Sequence, residues 1–539
     1  MANQKIMNRW WVVVGAILIQ LVLGIIYAWS VFTPYLTGKK IDPLRSEFTV
    51  SVAAENVKAM DMIVTTTSGE YTLPLADNGD GTYSIFVKPE DIGSALANKE
   101  GAVTARFEVT DTNDVIKSDP AWALDLRKIN PKALPKGEID GVTFEVKGVK
   151  VGFGFNATQS QYVLALGLFF FAVAMLFAGK LQDRIGPRYV AMGGGLLLGI
   201  GYFLGSIYGN TLLGQILCIG VLGGLGIGIA YVCPIATGVK WFPDKKGLIT
   251  GLAVAGFGFG AFIWMMLADN WGHLIDKFGV LRVFGIYGII FAVAVFLGSL
   301  FLKNPPAGYK PAGWKPPVAA TGKATGSEDF TRSEIIRTPQ FYMLWVMFCF
   351  SAMAGLMVIG NIKLFGMDQL QKVSGIDLVA ASSIATLAMA FFYSIFNGFG
   401  RIAWGSISDK IGRSRTIFVM TFLQGIMMAA LLWLGGTKWG LFFAASFIGF
   451  NFGGNFALFP SITADFYGTK NLGGNYSFVF TSYGIAGIIG CLLGGRVFDL
   501  TGSYLWAFAP SAVLCFIASA IALLIKAPHH EKGESKTKK

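Results

Sequence analysis

Apolar residues run through the chain in long blocks separated by short polar breaks. The blocks fall at 10–36, 158–179, 189–208, 212–239, 248–269, 282–302, 339–362, 379–404, 416–436, 439–463, 476–495 and 503–525. Roughly 20 apolar residues carry a helix across the hydrocarbon of a bilayer. The pattern predicts an all-α polytopic membrane protein of twelve transmembrane helices, with both termini on one side. After the first block the pattern changes. Phe48–Ala53, Met60–Thr66, Thr82–Val87, Ala105–Thr110 and Val142–Val149 alternate or favour β-branched residues, and turn sequences such as Asp77-Asn78-Gly79-Asp80-Gly81 separate them. They predict a small inserted β-domain, a sandwich in the simplest arrangement, outside the membrane. The Asp-rich turn lacks the spacing of an EF-hand calcium loop and reads as a hairpin turn.

These boundaries divide the chain into a first helix (1–37), the inserted β-domain (38–156), helices two to six (157–302), a linker rich in Pro, Gly and Lys (303–338), a second six-helix bundle (339–526) and a charged tail (527–539). Lys5 and Arg9 before an apolar run imitate a signal peptide, but the run is too long for a cleaved one. It reads as a retained helix.

Composition agrees: 53% of residues are hydrophobic and 14% charged, far fewer charges than the roughly 25% of soluble domains. The net charge of +12 does not point to nucleic acid, because the basic residues sit in short loops between apolar blocks. With the N-terminus cytoplasmic, the inner segments hold 23 Lys and Arg against six on the outer side, namely Lys277, Arg282, Lys363, Lys372, Lys438 and Arg496. Positive charge favours the cytoplasmic face, and a long translocated loop does not vote. The expected placement is a bacterial inner membrane, with both termini cytoplasmic and the inserted domain periplasmic or extracellular. Cys218, Cys233, Cys349, Cys491 and Cys515 stand singly in apolar blocks, which speaks against a disulfide framework or zinc site. There is no GxSxG, HExxH or phosphate loop, and the three histidines, His273, His529 and His530, lie at helix rims or in the tail. No enzyme, cofactor or metal is expected.

The chain repeats itself. Gly179-Lys180-Leu181-Gln182-Asp183-Arg184-Ile185-Gly186-Pro187-Arg188 returns as Gly405-Ser406-Ile407-Ser408-Asp409-Lys410-Ile411-Gly412-Arg413, with the aspartates 226 residues apart. Pro234 and Pro460 keep the same offset, and Asp276 and Asp499, in matching surroundings, are 223 apart. Such repeats are a mark of secondary transporters.

These residues resemble the major facilitator superfamily, whose signature between helices two and three has the form G-x-L-x-D-R-x-G-R-R; 179–188 departs from it only at Pro187. The segments Gly24-Ile25-Ile26-Tyr27-Ala28-Trp29-Ser30-Val31-Phe32, Tyr231-Val232-Cys233-Pro234, the loop from Lys240 to Gly247, and Asn397-Gly398-Phe399-Gly400-Arg401 are similar to the oxalate/formate antiporter and monocarboxylate-transporter-like branch. The resemblance implies alternating access acting on small organic anions, by symport or antiport. It also implies that Asp183, Arg184, Arg188, Asp409, Lys410 and Arg413 latch a cytoplasmic gate; topology and helix capping are the plainer reading of these charges.

Arg401 is the sharpest position. It is a cation inside an apolar block, eight residues before Asp409, hence about 12 Å from it along a helix. Such a charge must face a cavity or partner, or snorkel to the interface. Asn397 lies one turn earlier on the same face, and a guanidinium with an amide suits a carboxylate. With the resemblance, Arg401 and Asn397 read as substrate-binding, joined by Tyr27, Tyr231 and Tyr483 as cavity residues. Oxalate carriers of this branch have a second cation, a Lys in helix eleven, where this chain has Tyr483. One buried cation matches a monoanion, so lactate, pyruvate or formate fits better than oxalate. With no Asp or Glu at mid-span, coupling is expected through exchange, or through proton symport without a mid-membrane acidic relay. The competing expectation is a membrane sensor or assembly protein whose β-domain binds a partner.

Overall fold

The computed structural model describes residues 7–37, 42, 46–52, 57–66, 69–87, 104–118, 124–125, 136–139, 142–151, 153–242, 246–306, 309, 311, 329–468 and 471–528. Most of the linker, the tail from 529 and residues 243–245 lie outside this set.

The first apolar block is not one uniform helix. α1 (Trp10–Leu23) tightens into a 3-10 segment, Gly24–Val31, and ends in the turn Thr33–Leu36. The tight segment is where the block approaches another backbone. A Cβ on Gly24 would lie 2.1 Å from the Phe257 carbonyl oxygen, so only glycine permits this contact.

Ten strands follow. β1 (Ser46–Val52), β4 (Ala76–Asp77), β5 (Thr82–Val87), β9 (Lys136–Ile139) and β10 (Val142–Val151) form one sheet in the order β4-β5-β1-β10-β9. The other runs β3 (Gly69–Pro74), β2 (Val57–Thr66), β6 (Thr104–Asp111), β7 (Ile116–Ser118), with β8 (Leu124–Asp125) also on β6. Alternation along β6 buries Ala105, Phe107 and Val109. The Asp77–Gly81 stretch is a hairpin turn between β4 and β5, in which Asp77 accepts from the Gly79 N–H at 2.8 Å and Gly79 has φ 77°. The five expected strands are present. The other five are shorter or more polar, as in β3, and carry no apolar alternation to reveal them.

The helices are α2 (Ala157–Ile185), α3 (Pro187–Tyr208), α4 (Gly224–Trp241, preceded by a π segment, Ile216–Gly223), α5 (Lys246–Ala268), α6 (Leu274–Leu300), α7 (Pro339–Ser374), α8 (Ser394–Ile411, entered through Leu378–Leu387 and a π segment, Ala388–Tyr393), α9 (Arg413–Leu434), α10 (Lys438–Tyr467), α11 (Leu472–Thr501) and α12 (Leu505–Leu524). Eleven spans are long and apolar enough to cross a membrane; the remaining helix, α5, contributes the shorter apolar stretch Val254–Ala268 among the described residues. α7 runs well past the expected end at 362, so Lys363 is inside a helix and 1% exposed. The block expected to end at 362 therefore continues as helix past Lys363.

The sequence repeat has a backbone counterpart. Gly186 and Gly412, 226 residues apart, adopt φ 92°, ψ 152° and φ 91°, ψ 152°. Thr211 and Thr437, at the same offset, each accept a hydrogen bond from the backbone N–H three residues on, Gly214 at 3.1 Å and Gly440 at 3.2 Å. Gly279 and Gly502 both take positive φ. α2 packs along α11 and α5 along α8, which joins helices before the linker to helices after it.

Candidate functional site

Arg401 lies on the buried face of α8 and is 4% exposed. It does not reach toward the helix end. Its Nε donates to Asn397 Oδ1 at 2.9 Å, as the one-turn spacing predicts. Its guanidinium lies 4.3 Å from the Phe456 ring centroid, a cation–π contact from α10 that fixes the plane of the fork. Arg401 Nη1 and Asn397 Nδ2 are buried donors with no hydrogen-bond acceptor. Buried polar groups are normally satisfied, so an unmatched guanidinium N–H beside an unmatched amide N–H leaves two donors able to meet an acceptor oxygen.

Tyrosines surround this fork. The hydroxyls of Tyr27, Tyr231, Tyr393, Tyr476 and Tyr483 all lie within electrostatic reach of Arg401. Tyr27, on the 3-10 segment, and Tyr483, on α11, share a 2.7 Å hydrogen bond. Tyr231 packs edge-on against Phe171 and Phe257 at 5.0 and 5.7 Å. Phe452 meets Tyr27 at 5.8 Å, and Phe456 meets Tyr483 at 5.5 Å. All five residues expected to bind substrate are thus brought to one locus. Met175, the counterpart of Arg401 at the 226-residue offset, is an ordinary buried side chain, so the charge is one-sided.

Sequence reasoning missed Tyr393, Tyr476, Phe452 and Phe456. A signal existed for the first: Tyr393, Asn397 and Arg401 follow at four-residue steps on one helical face. Tyr476 and the two phenylalanines stand among many aromatic residues in apolar blocks and carry no such mark.

The signature-loop residues are elsewhere, at the opposite ends of α2 and α8 from the sheets. Arg413 is held between Asp409 at 2.7 Å and Asp465 at 3.1 Å and also bonds Ser408; all of these belong to helices after the linker. Arg188 bonds the Leu300 carbonyl, within the helices before it. Arg184 and Lys410 are exposed. The side chain of Asp183 lies outside the described residues.

Hydrogen bonds and ion pairs between the two sets of helices, among the described residues, fall at the centre or toward the sheets. Tyr27–Tyr483 is central. Toward the sheets, Asp499 at the end of α11 accepts from the Ala157 N–H (3.0 Å), the Thr158 N–H (2.9 Å) and the Thr158 hydroxyl (2.6 Å) at the start of α2. Gln161 donates to the Gly360 carbonyl at 3.0 Å, Asn270 to that of Ser383 at 3.2 Å, and Lys363 pairs with Asp269.

Known proteins match this arrangement. A family model described as Major Facilitator Superfamily matches residues 141–468 and 375–539. An uncharacterized MFS-type transporter, YhjX of Escherichia coli (strain K12), is 34% identical over 63% of this chain and 77% of its own length. The oxalate:formate antiporter of Oxalobacter formigenes is 30% identical over 71% of this chain and 86% of its own. The apicoplast pyruvate carrier 1 of Toxoplasma gondii is 27% identical over 60% and 67%. These relatives are transporters rather than enzymes. The chain belongs to the Major Facilitator Superfamily and is a multi-pass membrane transport protein.

Proposed function

We propose that the protein is a secondary active carrier of small monocarboxylates such as lactate, pyruvate or formate, with oxalate a poorer substrate, working by alternating access between two six-helix repeats. The observation that carries this reading is the Arg401–Asn397 pair, with two buried donors unmatched and the Phe456 ring against the guanidinium. A guanidinium fork binds carboxylate bidentately. Tyrosine, not a second cation, stands opposite it on α11, so a monoanion balances the site. Lys363 does not alter that balance, because Asp269 neutralises it. Relatives named for oxalate, formate and pyruvate carriage support the substrate class.

The repeats are supported by the matched backbone features at 226 residues. The polar ties between them describe a carrier closed toward the sheets. Asp183, Arg184, Arg188, Asp409, Lys410 and Arg413 then form the latch of the opposite gate. The excess of Lys and Arg on the signature-loop side supports a cytoplasmic position for that side, with the sheets outside an inner membrane. Transport proceeds by anion exchange or by symport with a proton.

A thermal-shift screen of small carboxylates, followed by uptake into liposomes, tests the reading. Lactate, pyruvate or formate is expected to raise the unfolding temperature. Arg401→Ala and Arg401→Lys are expected to weaken binding by about 2–5 kcal/mol, thirtyfold or more, because Ala removes the charge and Lys removes the planar two-donor fork. Undiminished carboxylate affinity in both variants refutes the assignment.

A further inference from the structure

A second charged cluster lies between the helices before and after the linker, toward the sheets, with its ion pair on α7 and α5 and a hydroxyl from the entry segment of the span that carries Arg401. Lys363 on α7 forms an ion pair with Asp269 at the end of α5, and their side chains are 1% and 4% exposed. The Thr386 hydroxyl donates to the same Asp269 oxygen at 2.7 Å. Thr386 also lies one turn beyond Ser382, whose hydroxyl is buried without a partner, as is Asn270 Oδ1 beside Asp269. The Tyr35 hydroxyl, bound to Asp276 at 2.7 Å, lies within electrostatic reach of Asp269 and Asp42.

α5 belongs to the helices before the linker, α7 and the Thr386 segment to those after it. Opening toward the sheets therefore separates Asp269 from Lys363. Separating a buried, hydrogen-bonded ion pair is costly. A carboxylate that takes the place of Asp269 on Lys363 offsets part of that cost. A small carboxylate does so with the same functional group, and an ammonium exchanges such partners readily because it is a point charge without a fixed fork geometry.

We propose that Asp269 is a built-in stand-in for the substrate: it occupies Lys363 while the sheet side is closed, and an entering monocarboxylate displaces it, docking on Lys363 before passing to Arg401. This rests on the carrier of small carboxylates argued above. The competition between Asp269 and substrate is the new element, and it lets an arriving substrate favour release of the latch.

Calorimetric titration of the full-length purified protein with sodium lactate, pyruvate or formate, against sodium chloride as control, tests it. Asp269→Asn, which removes the competing charge, is expected to bind the carboxylate about tenfold more tightly or to gain a second site. Adding Lys363→Met is expected to abolish that gain. Equal binding by the single and double variants overturns the proposal. Where Asp269→Asn does not fold, Thr386→Val strips one hydrogen bond from Asp269 and keeps both charges: tighter binding supports the competition and unchanged binding overturns it. Wild-type protein that binds none of the three anions sinks the carrier reading and this inference together. Wild-type binding that Arg401→Ala abolishes but Asp269→Asn and Thr386→Val leave unchanged sinks this inference alone.

Discussion

The hydroxyl pair between Tyr27 and Tyr483 joins a helix before the linker to one after it, near Arg401. Each ring is buried, so deleting one hydroxyl leaves the other without its partner. Tyr27→Phe and Tyr483→Phe are each expected to lower stability by about 1–3 kcal/mol, whereas the double variant, which removes both polar groups and keeps the shape, should cost less than the sum. Chemical unfolding of the four proteins measures that coupling; additive losses refute the pairing. The legibility of the site follows from how unusual each residue is in an apolar block. Arg401 stood out because a cation is costly there, and Asn397 followed from it by helical spacing. The tyrosines in motifs were visible, while Phe456 was not, because one more aromatic ring in a membrane helix is unremarkable until its face is seen over a guanidinium. The burial of Lys363 was hidden for a related reason. An apolar block was ended at its first charge, although the helix continued and Asp269 from another helix compensated that charge.

Elements were legible where they depend on local chemistry. The helices were announced by length and apolarity, and the longer strands by alternation. The 3-10 segment of the first block was hidden, since its cause is the approach of α5 to Gly24, a tertiary contact. The signature loops show local chemistry most clearly. Gly186 and Gly412 sit at nearly identical dihedrals in a region essentially reserved for glycine, and a Cβ at either would meet nothing within 4 Å. Substitution by Ala is therefore opposed by backbone strain alone, about 1–3 kcal/mol. Gly186→Ala and Gly412→Ala are expected to destabilise by similar amounts. Gly179→Ala, at a helical position with equally open space, is expected to be neutral or stabilising. Thermal unfolding of the three compares them; a large difference between the first two breaks the equivalence of the loops.

At the scale of the molecule, the β-insertion interrupts a helical carrier without interrupting its packing. The chain leaves and re-enters the helical body at one place: the Leu36 carbonyl accepts from the Phe155 N–H at 3.1 Å, and Ser46 of β1 stands opposite Val151 of β10. Opposed residues in an antiparallel pair are about 5 Å apart, a gap that a two-residue turn closes. One residue of the approach is part of the body, since Asp42 is buried and accepts from the Val280 N–H at 3.0 Å at the start of α6. Replacing 47–150 by Asn-Gly keeps that contact and removes the sheets. The residues around Arg401 all come from helices or from the 3-10 segment. The shortened protein is therefore expected to unfold cooperatively, to keep its carboxylate-induced thermal shift, and to take up labelled lactate at a rate within about twofold of the full chain. Because ligand stabilisation scales with ln(1 + [L]/Kd), the shift reports on the anion site independently of turnover. A shift retained with uptake lost would assign the sheets to the transport cycle rather than to binding. Loss of both in a folded protein would make the insertion part of the site and favour a sensor that reads its ligand outside the membrane.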